Sequence, residues 1–345
     1  MDLGLITFGT LLADPHTGTT VTQRQRVQEV VDTAVRAERL GYAWYAVGEH
    51  HFRDRDVIPN PTLVLAAIAE RTSSIRLATA TTLVANRDPV LLAEDYALLD
   101  ILSEGRLELV AGGSFFPEPY VVFGQDPGSK AARKRENLDL LIKLWTQKSV
   151  TWSGKFRPPL NGITVQPRPL QTQPPLWASA GTDVDSVALA VEHRLPIAFG
   201  TTAHAPSTYV DAFAAYRDLW QKKYSDAPGR QAAASHTFVA RTSQEARSQW
   251  ASYIGSYLSA RPNGGPVDFD AHIGPSGPAL CGSPAEVLDK LGNLRQLWGH
   301  DLHLLAVDIG GIPHSTVEST VELIATAVLP QAKKLAATAR VRTDA

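Results

Sequence analysis

At 345 residues the chain suits one large α/β barrel or two ordinary domains, and an apolar fraction of 44% argues against disorder. A formal charge of −2 offers no broad surface to nucleic acid or an acidic membrane, and the one cysteine, Cys281, excludes an internal disulfide and multi-cysteine zinc or iron–sulfur clusters. The first residues lack a secretory leader's basic start and cleavage site, and no apolar run reaches the roughly 18 residues of a membrane span, so a reducing cytoplasm is the simplest expected compartment.

In chain order, Leu3 to Phe8 reads as a strand, followed by a long polar loop from Thr10 to Thr20. Thr22 and Gln25 form a capping box for a helix whose apolar residues recur from Val27 to Leu40 until Gly41 stops it. Tyr42 to His51 supplies a second strand, and Asn60-Pro61 caps a helix running to Arg71. The β-branched run Arg76 to Val84 is a third strand, and Asp88-Pro89 opens a helix carrying Leu91, Leu98, Leu99 and Leu102. Arg106 to Val110 is the fourth, ending in Ala111-Gly112-Gly113, where small residues would let a flat ligand approach the backbone. An aromatic loop through Phe123 leads to a helix from Ala131 to Lys148.

Residues 150–175 interrupt the alternation and read as an insertion, with a small hairpin pairing Val150-Thr151-Trp152 with Lys155-Phe156. Leu176 to Ala180, Pro196 to Phe199, His236 to Arg241 and Leu302 to Val307 supply strands five to eight. Helices are expected at Asp183 to Arg194, Ser207 to Tyr224, Ser243 to Ser259, Ser283 to Trp298 and Thr316 to Ala339. The Gly/Pro-dense segment 261–278 is a candidate mobile lid. Eight βα units with right-handed crossovers argue for a single (β/α)8 TIM barrel with insertions after strands four and seven.

Reactive residues collect at the carboxyl ends of such strands, and Glu49-His50-His51 stands at one. Adjacent side chains on a strand point to opposite faces, so at most one histidine faces the mouth, with Glu49 available to orient it. A metal site competes for these residues, but neither His-Glu-x-x-His nor His-x-x-Glu-His is present, and His300-x-x-His303 falls at the opposite face, where a structural or solvent-exposed role is expected. Ser179 to Ser186 crosses from strand to helix and offers backbone N–H groups and the hydroxyls of Thr182 and Ser186 to a phosphate, while Thr182-x-x-Asp185 also reads as a plain capping box. Phe115, Phe116, Tyr120, Phe123 and Trp152 would line an apolar pocket or fill core, and Arg106 reads as a loop anchor paired with Asp100. No dinucleotide or P-loop fingerprint is present.

Together, Glu49-His50-His51-Phe52, the stretch Leu99 to Leu107 and Phe123-Gly124 resemble the bacterial luciferase-like family of flavin-dependent monooxygenases. The resemblance implies FMN bound reversibly at the carboxyl end of the barrel, reduced by a separate reductase, and oxidation of a small organic, apolar substrate by O2 through a flavin hydroperoxide. It makes His50 and Glu49 the catalytic candidates, with Thr79, Ala80, Thr81 and Gly112 flanking the ring, a non-prolyl cis peptide at Ala80-Thr81, Gly181, Thr182 and Ser186 at the phosphate, and Phe115 and Tyr120 at the substrate. Many relatives carry an arginine near Gly112 that helps bind the phosphate, which this chain lacks. A homodimer, no resident metal, and no nucleic-acid or membrane partner are expected. The alternatives are F420-dependent hydride transfer on the same fold, a metal-dependent barrel hydrolase or isomerase using Glu49, His50 and Asp308, and a non-catalytic flavin-binding protein.

Overall fold

The computed structural model describes residues 1–260 and 268–335. Eight strands form the barrel: β1 (Asp2–Thr7), β2 (Trp44–Val47), β3 (Arg76–Thr79), β4 (Leu107–Gly112), β5 (Leu176–Ala180), β6 (Ile197–Phe199), β7 (Gln231–Val239) and β8 (Leu302–Ala306). Each pairs in parallel with the next, and β8 closes on β1 with Asp2 opposite Leu302. The outer layer comprises α1 (Gln23–Arg39), α2 (Pro61–Ala69), α3 (Pro89–Leu102), α4 (Lys130–Thr146), α5 (Val184–Glu192), α6 (Val210–Lys223), α7 (Ser243–Ser259), α8 (Pro284–Trp298) and α9 (His314–Leu323). The expected caps form: Thr22 Oγ1 accepts the Gln25 N–H at 3.1 Å, Asn60 Oδ1 that of Thr62 at 3.0 Å, and Asp88 Oδ1 that of Val90 at 2.8 Å. No described helix is long and apolar enough to cross a membrane.

Inward positions alternate along the strands and change in size from bottom to top. At the amino-terminal end, Trp44 and Trp177 meet edge to face at 4.9 Å, and the Trp177 indole donates to Glu108, itself paired with Arg76. Burial raises the Glu108 pKa, opposed by Arg76 and the indole bond. Ala46, Ala78, Ala80, Ala198, Ala234 and Ala306 belong to the same cluster as these indoles, together with Ile6, Val110 and Leu304. The barrel is therefore plugged by indoles below and lined by alanines and a few branched side chains elsewhere.

Several expectations need correction. β7 begins at Gln231, because the alanines before His236 extend the strand, with Ala232 and Ala234 facing the interior. β3 stops at Thr79; the chain turns at Ala80-Thr81, and Thr82–Leu83 forms a separate short strand beside the end of β4. Within the insertion, Val150–Trp152 pairs with Leu160–Ile163 instead of Lys155-Phe156, whose N–H groups bond to the Glu136 carboxylate. Arg106 is an anchor, but to the carbonyls of Ala69, Thr72, Ile75 and Ser103, because Asp100 is occupied by Gln171. The closing helix breaks into α9, a wider-turn segment Ile324–Val328 and Leu329–Ala332, while its expected end beyond residue 335 lies outside the described residues. Of the candidate lid, 261–267 lies outside them too; the described part contains a short helix, Phe269–Ile273, whose end Lys290 Nζ fixes through the carbonyls of Ile273, Gly274 and Ala279.

Candidate functional site

The two histidines after β2 have different surroundings. His51 Nε2 donates to Glu49 Oε1 at 2.9 Å, and Glu49 Oε2 accepts the Leu83 N–H at 3.1 Å. Glu49 is thus a buried carboxylate orienting His51 and the turn after β3; no hydrogen bond joins it to His50. The His50 ring stacks on Phe8 at 5.5 Å with 4° between planes, and Phe116 approaches its edge at 6.3 Å. His50 Nδ1 lies 3.2 Å from Asp56 Oδ2 without hydrogen-bond alignment, so both buried atoms are left without a bonded partner.

From His50 a chain of contacts crosses the mouth. A Cβ on Gly48 would meet the Phe8 ring at 3.0 Å and the Ala80 carbonyl at 3.4 Å, so the ends of β1, β2 and β3 converge there. The Ala80-Thr81 peptide is cis. Next, a Cβ on Gly112 would lie 2.7 Å from the Thr81 Cβ and 2.8 Å from Ser179 Oγ, so glycine is required for the ends of β3, β4 and β5 to meet. Ala80, Thr81 and Ser179 all retain partial exposure on this arc. Thr79 is different: it is fully buried, and its hydroxyl both accepts from the Val110 N–H at 2.9 Å and donates to the Val110 carbonyl at 3.3 Å, which places it in the wall between β3 and β4.

The arc ends at the head of α5. Asp183, not Thr182, is the N-cap, with extended φ,ψ of −81° and 133° and Oδ1 accepting the Ser186 N–H at 2.7 Å. Thr182 is left exposed, and a Cβ on Gly181 would meet nothing within 4 Å. Into this corner α4 sends a lysine: Lys134 Nζ donates to the Ser179 carbonyl at 2.8 Å and to Ser186 Oγ at 3.4 Å. Burial pulls the Lys134 pKa down to about 8, with Asp183 opposing and Lys130 reinforcing the shift; Lys130, one turn earlier, is lowered by burial as well. Neither lysine stands out in the sequence, because a lysine on an amphipathic helix reads as solvent-facing. The only signal is that the two fall four residues apart and hence on one face.

The substrate candidates divide. Phe115 is 84% exposed and touches Phe116, whereas Tyr120 is buried and its pKa is pushed up to about 12, so neither shares the His50 stack. Phe116 and Phe8 do. Phe123 packs on His51 and Phe52, and Trp152 under Lys143. Across the mouth stands a group absent from the sequence-based candidates: Arg55 Nη1 donates to the Tyr257 carbonyl at 3.0 Å, and the Tyr257 ring meets buried His236 at 5.2 Å. A lone histidine on an alanine-rich inward strand is the trace it leaves in the sequence.

Among the described residues no group of three or more His, Cys, Asp or Glu is placed to hold a metal ion. The Glu49, His50 and Asp308 set is not assembled: Asp308 accepts from Thr7 Oγ1 at 2.6 Å and is paired with Arg26. His300 and His303 are fully buried, bonded to each other at 2.9 Å, and His303 reaches Ser235 Oγ at 3.1 Å, which makes them structural.

The arc offers small residues along the strand ends, an imidazole at one end and two lysines at the other, one buried and one half-buried, a set that fits a flat ring with an anionic tail. The comparisons agree in kind. The flavin-dependent trigonelline monooxygenase oxygenase component of Acinetobacter baylyi is 30% identical over 230 residues, 66% of this chain, and the match spans 63% of that enzyme's length. The monooxygenase RslO1 from Streptomyces bottropensis superposes with a TM-score of 0.85 at 25% identity, covering 96% of this chain and 99% of that one. The oxygenating constituent of 3,6-diketocamphane monooxygenase from Pseudomonas putida, solved with FMN, shares the fold with a TM-score of 0.79 at 20% identity, covering 96% and 98%. A family profile described as luciferase-like monooxygenase matches residues 1–301, and the chain belongs to that family.

Proposed function

We propose that this protein is the oxygenase component of a two-component flavin monooxygenase: it takes reduced FMN from a separate reductase and uses O2 to oxidise a small, apolar organic substrate. The observation that carries the reading is the contact-linked arc from Phe8 and His50 through Ala80, Thr81 and Gly112 to Ser179. The trigonelline relative, itself named an oxygenase component, supports the two-component arrangement. When bound, reduced FMN supplies the electrons with which oxygen is activated.

The chain's own residues do the rest. Ala80, Thr81 and Gly112 bear on one side of the ring, and Gly181, Thr182 and Ser186 receive the phosphate end. The His50 imidazole, held parallel to Phe8 and facing the Asp56 carboxylate, holds or moves a proton at the reacting edge. Phe8 and Phe116 give the substrate an apolar wall beside it. Glu49 acts at one remove, by fixing His51 and the turn that presents Ala80-Thr81.

The decisive experiment is anaerobic titration with reduced FMN and with F420, followed by oxygen uptake over a panel of apolar substrates. Tight FMN binding with substrate-dependent oxygen uptake is expected; F420 binding with hydride transfer and no oxygen uptake overturns the reading. We further propose that two copies associate through α2 and α3, where Leu63, Leu91, Leu98 and Leu102 are 43–70% exposed.

A further inference from the structure

We infer that Lys130 and Lys134 of α4 together form the cationic seat for the phosphate monoester of the bound flavin. The inference rests on the flavin reading above and assigns to it residues that neither the strand ends nor the head of α5 supply.

Three observations carry it. Lys134 is 8% exposed, yet the two bonds of its ammonium go to neutral acceptors, the Ser179 carbonyl and the Ser186 hydroxyl. An ammonium has three N–H donors, so these two bonds leave one for a further acceptor. Second, Lys130 runs over Gly113, its Cε 3.1 Å from where a Cβ would stand, so both lysines are directed at the junction of β4 and β5 rather than into solvent. Third, the space beside them at Gly181 is open, and the nearest acid is already engaged: Asp183 accepts from the Ser186 N–H. The charges that bear on Lys134 are Lys130 and Asp183, which leaves the corner one positive charge in excess. Burial lowers the pKa of both lysines against the opposing charge of Asp183, and an arriving dianion would favour their charged forms.

The test compares FMN with riboflavin, which differ only in the phosphate, binding each to the whole protein in oxidised and, anaerobically, in dithionite-reduced form. Wild type is expected to prefer FMN by at least about tenfold, and Lys134→Met to lower that preference by about tenfold or more with riboflavin affinity unchanged. Lys134→Arg should retain most of the preference. Lys130→Met, at a half-buried position, should reduce the preference severalfold and carries the test if Lys134→Met does not fold. Equal weakening of FMN and riboflavin, or an unchanged preference in both methionine variants, overturns the seat while leaving the flavin reading intact. Wild-type protein that binds neither flavin in either redox state overturns both.

Discussion

Glu49 and His51 share a 2.9 Å hydrogen bond, and this pairing separates two histidines that the chain presents side by side. With the only carboxylate of the motif spent on His51 and the Leu83 N–H, His50 is free to stack on Phe8 and face Asp56. Substitutions should therefore divide by kind. His50→Ala removes a partly exposed ring and should abolish turnover while FMN affinity and unfolding midpoint stay near wild type. Glu49→Ala leaves the Leu83 N–H and His51 without their acceptor inside the fold and should cost about 2–4 kcal/mol in urea unfolding. Normal turnover in His50→Ala would remove that imidazole from the mechanism.

The buried pair at the other end of the barrel predicts acid sensitivity. Burial pushes His303 down to about 3 and His300 well below its ordinary value, with the second ring adding to the effect on His300. Both are neutral in the fold, whereas in the unfolded chain they titrate near 6.5. Above that pH neither state binds the protons and the contribution is complete. As pH falls from 6.5 toward 3, the unfolded state takes up protons the fold refuses, and stability drops by up to about 1.4 kcal/mol per unit for each ring. Urea unfolding at pH 7, 6 and 5 should show this loss. A His300→Gln/His303→Gln variant should be weaker at pH 7 but have a shallower slope, and an unchanged slope would refute the assignment.

How much of this was legible in the chain follows from what each feature rests on. The barrel is legible because all eight strands carry apolar runs and most helices carry their caps, as at Thr22, Asn60 and Asp88. Boundaries slip where side chains are poor guides: alanines opening β7 resemble helix, and the β-branched run after Arg76 continues past the turn that ends β3. The α5 cap illustrates a nearer miss, since Thr182 and Asp183 both suit an N-cap and only the backbone decides between them. His50 and the strand-end glycines are legible because motifs lie along the chain. Lys134 and His236 are not, because only the closing of distant elements brings them near, and Arg55 and Asp56, though in the same loop as His50, belong to no motif that marks them.

Gly112 offers a direct probe of the arc. A methyl group there would press on the Thr81 Cβ in the turn after β3 and on Ser179 Oγ in β5. Gly112→Ala should destabilise by about 1–3 kcal/mol through overpacking and weaken FMN and riboflavin alike, since it disturbs the ring's side of the site. Flavin titration beside thermal unfolding checks both; selective loss of FMN alone would place the damage at the phosphate end.

Leu91, Leu98 and Leu102 recur at intervals of seven and four, forming one stripe on α3, and Leu63 on neighbouring α2 is 70% exposed. Four leucines left in water at one place are unusual for a monomer, where exposed apolar residues are normally scattered. An isologous contact would bury the stripe against its own copy, so each substitution acts twice per dimer. Leu91→Lys/Leu98→Lys places four like charges at such an interface and should convert the protein to a monomer at micromolar concentration in sedimentation velocity, with little change in helix content. A wild type that sediments as a monomer at every accessible concentration would refute self-association through this face.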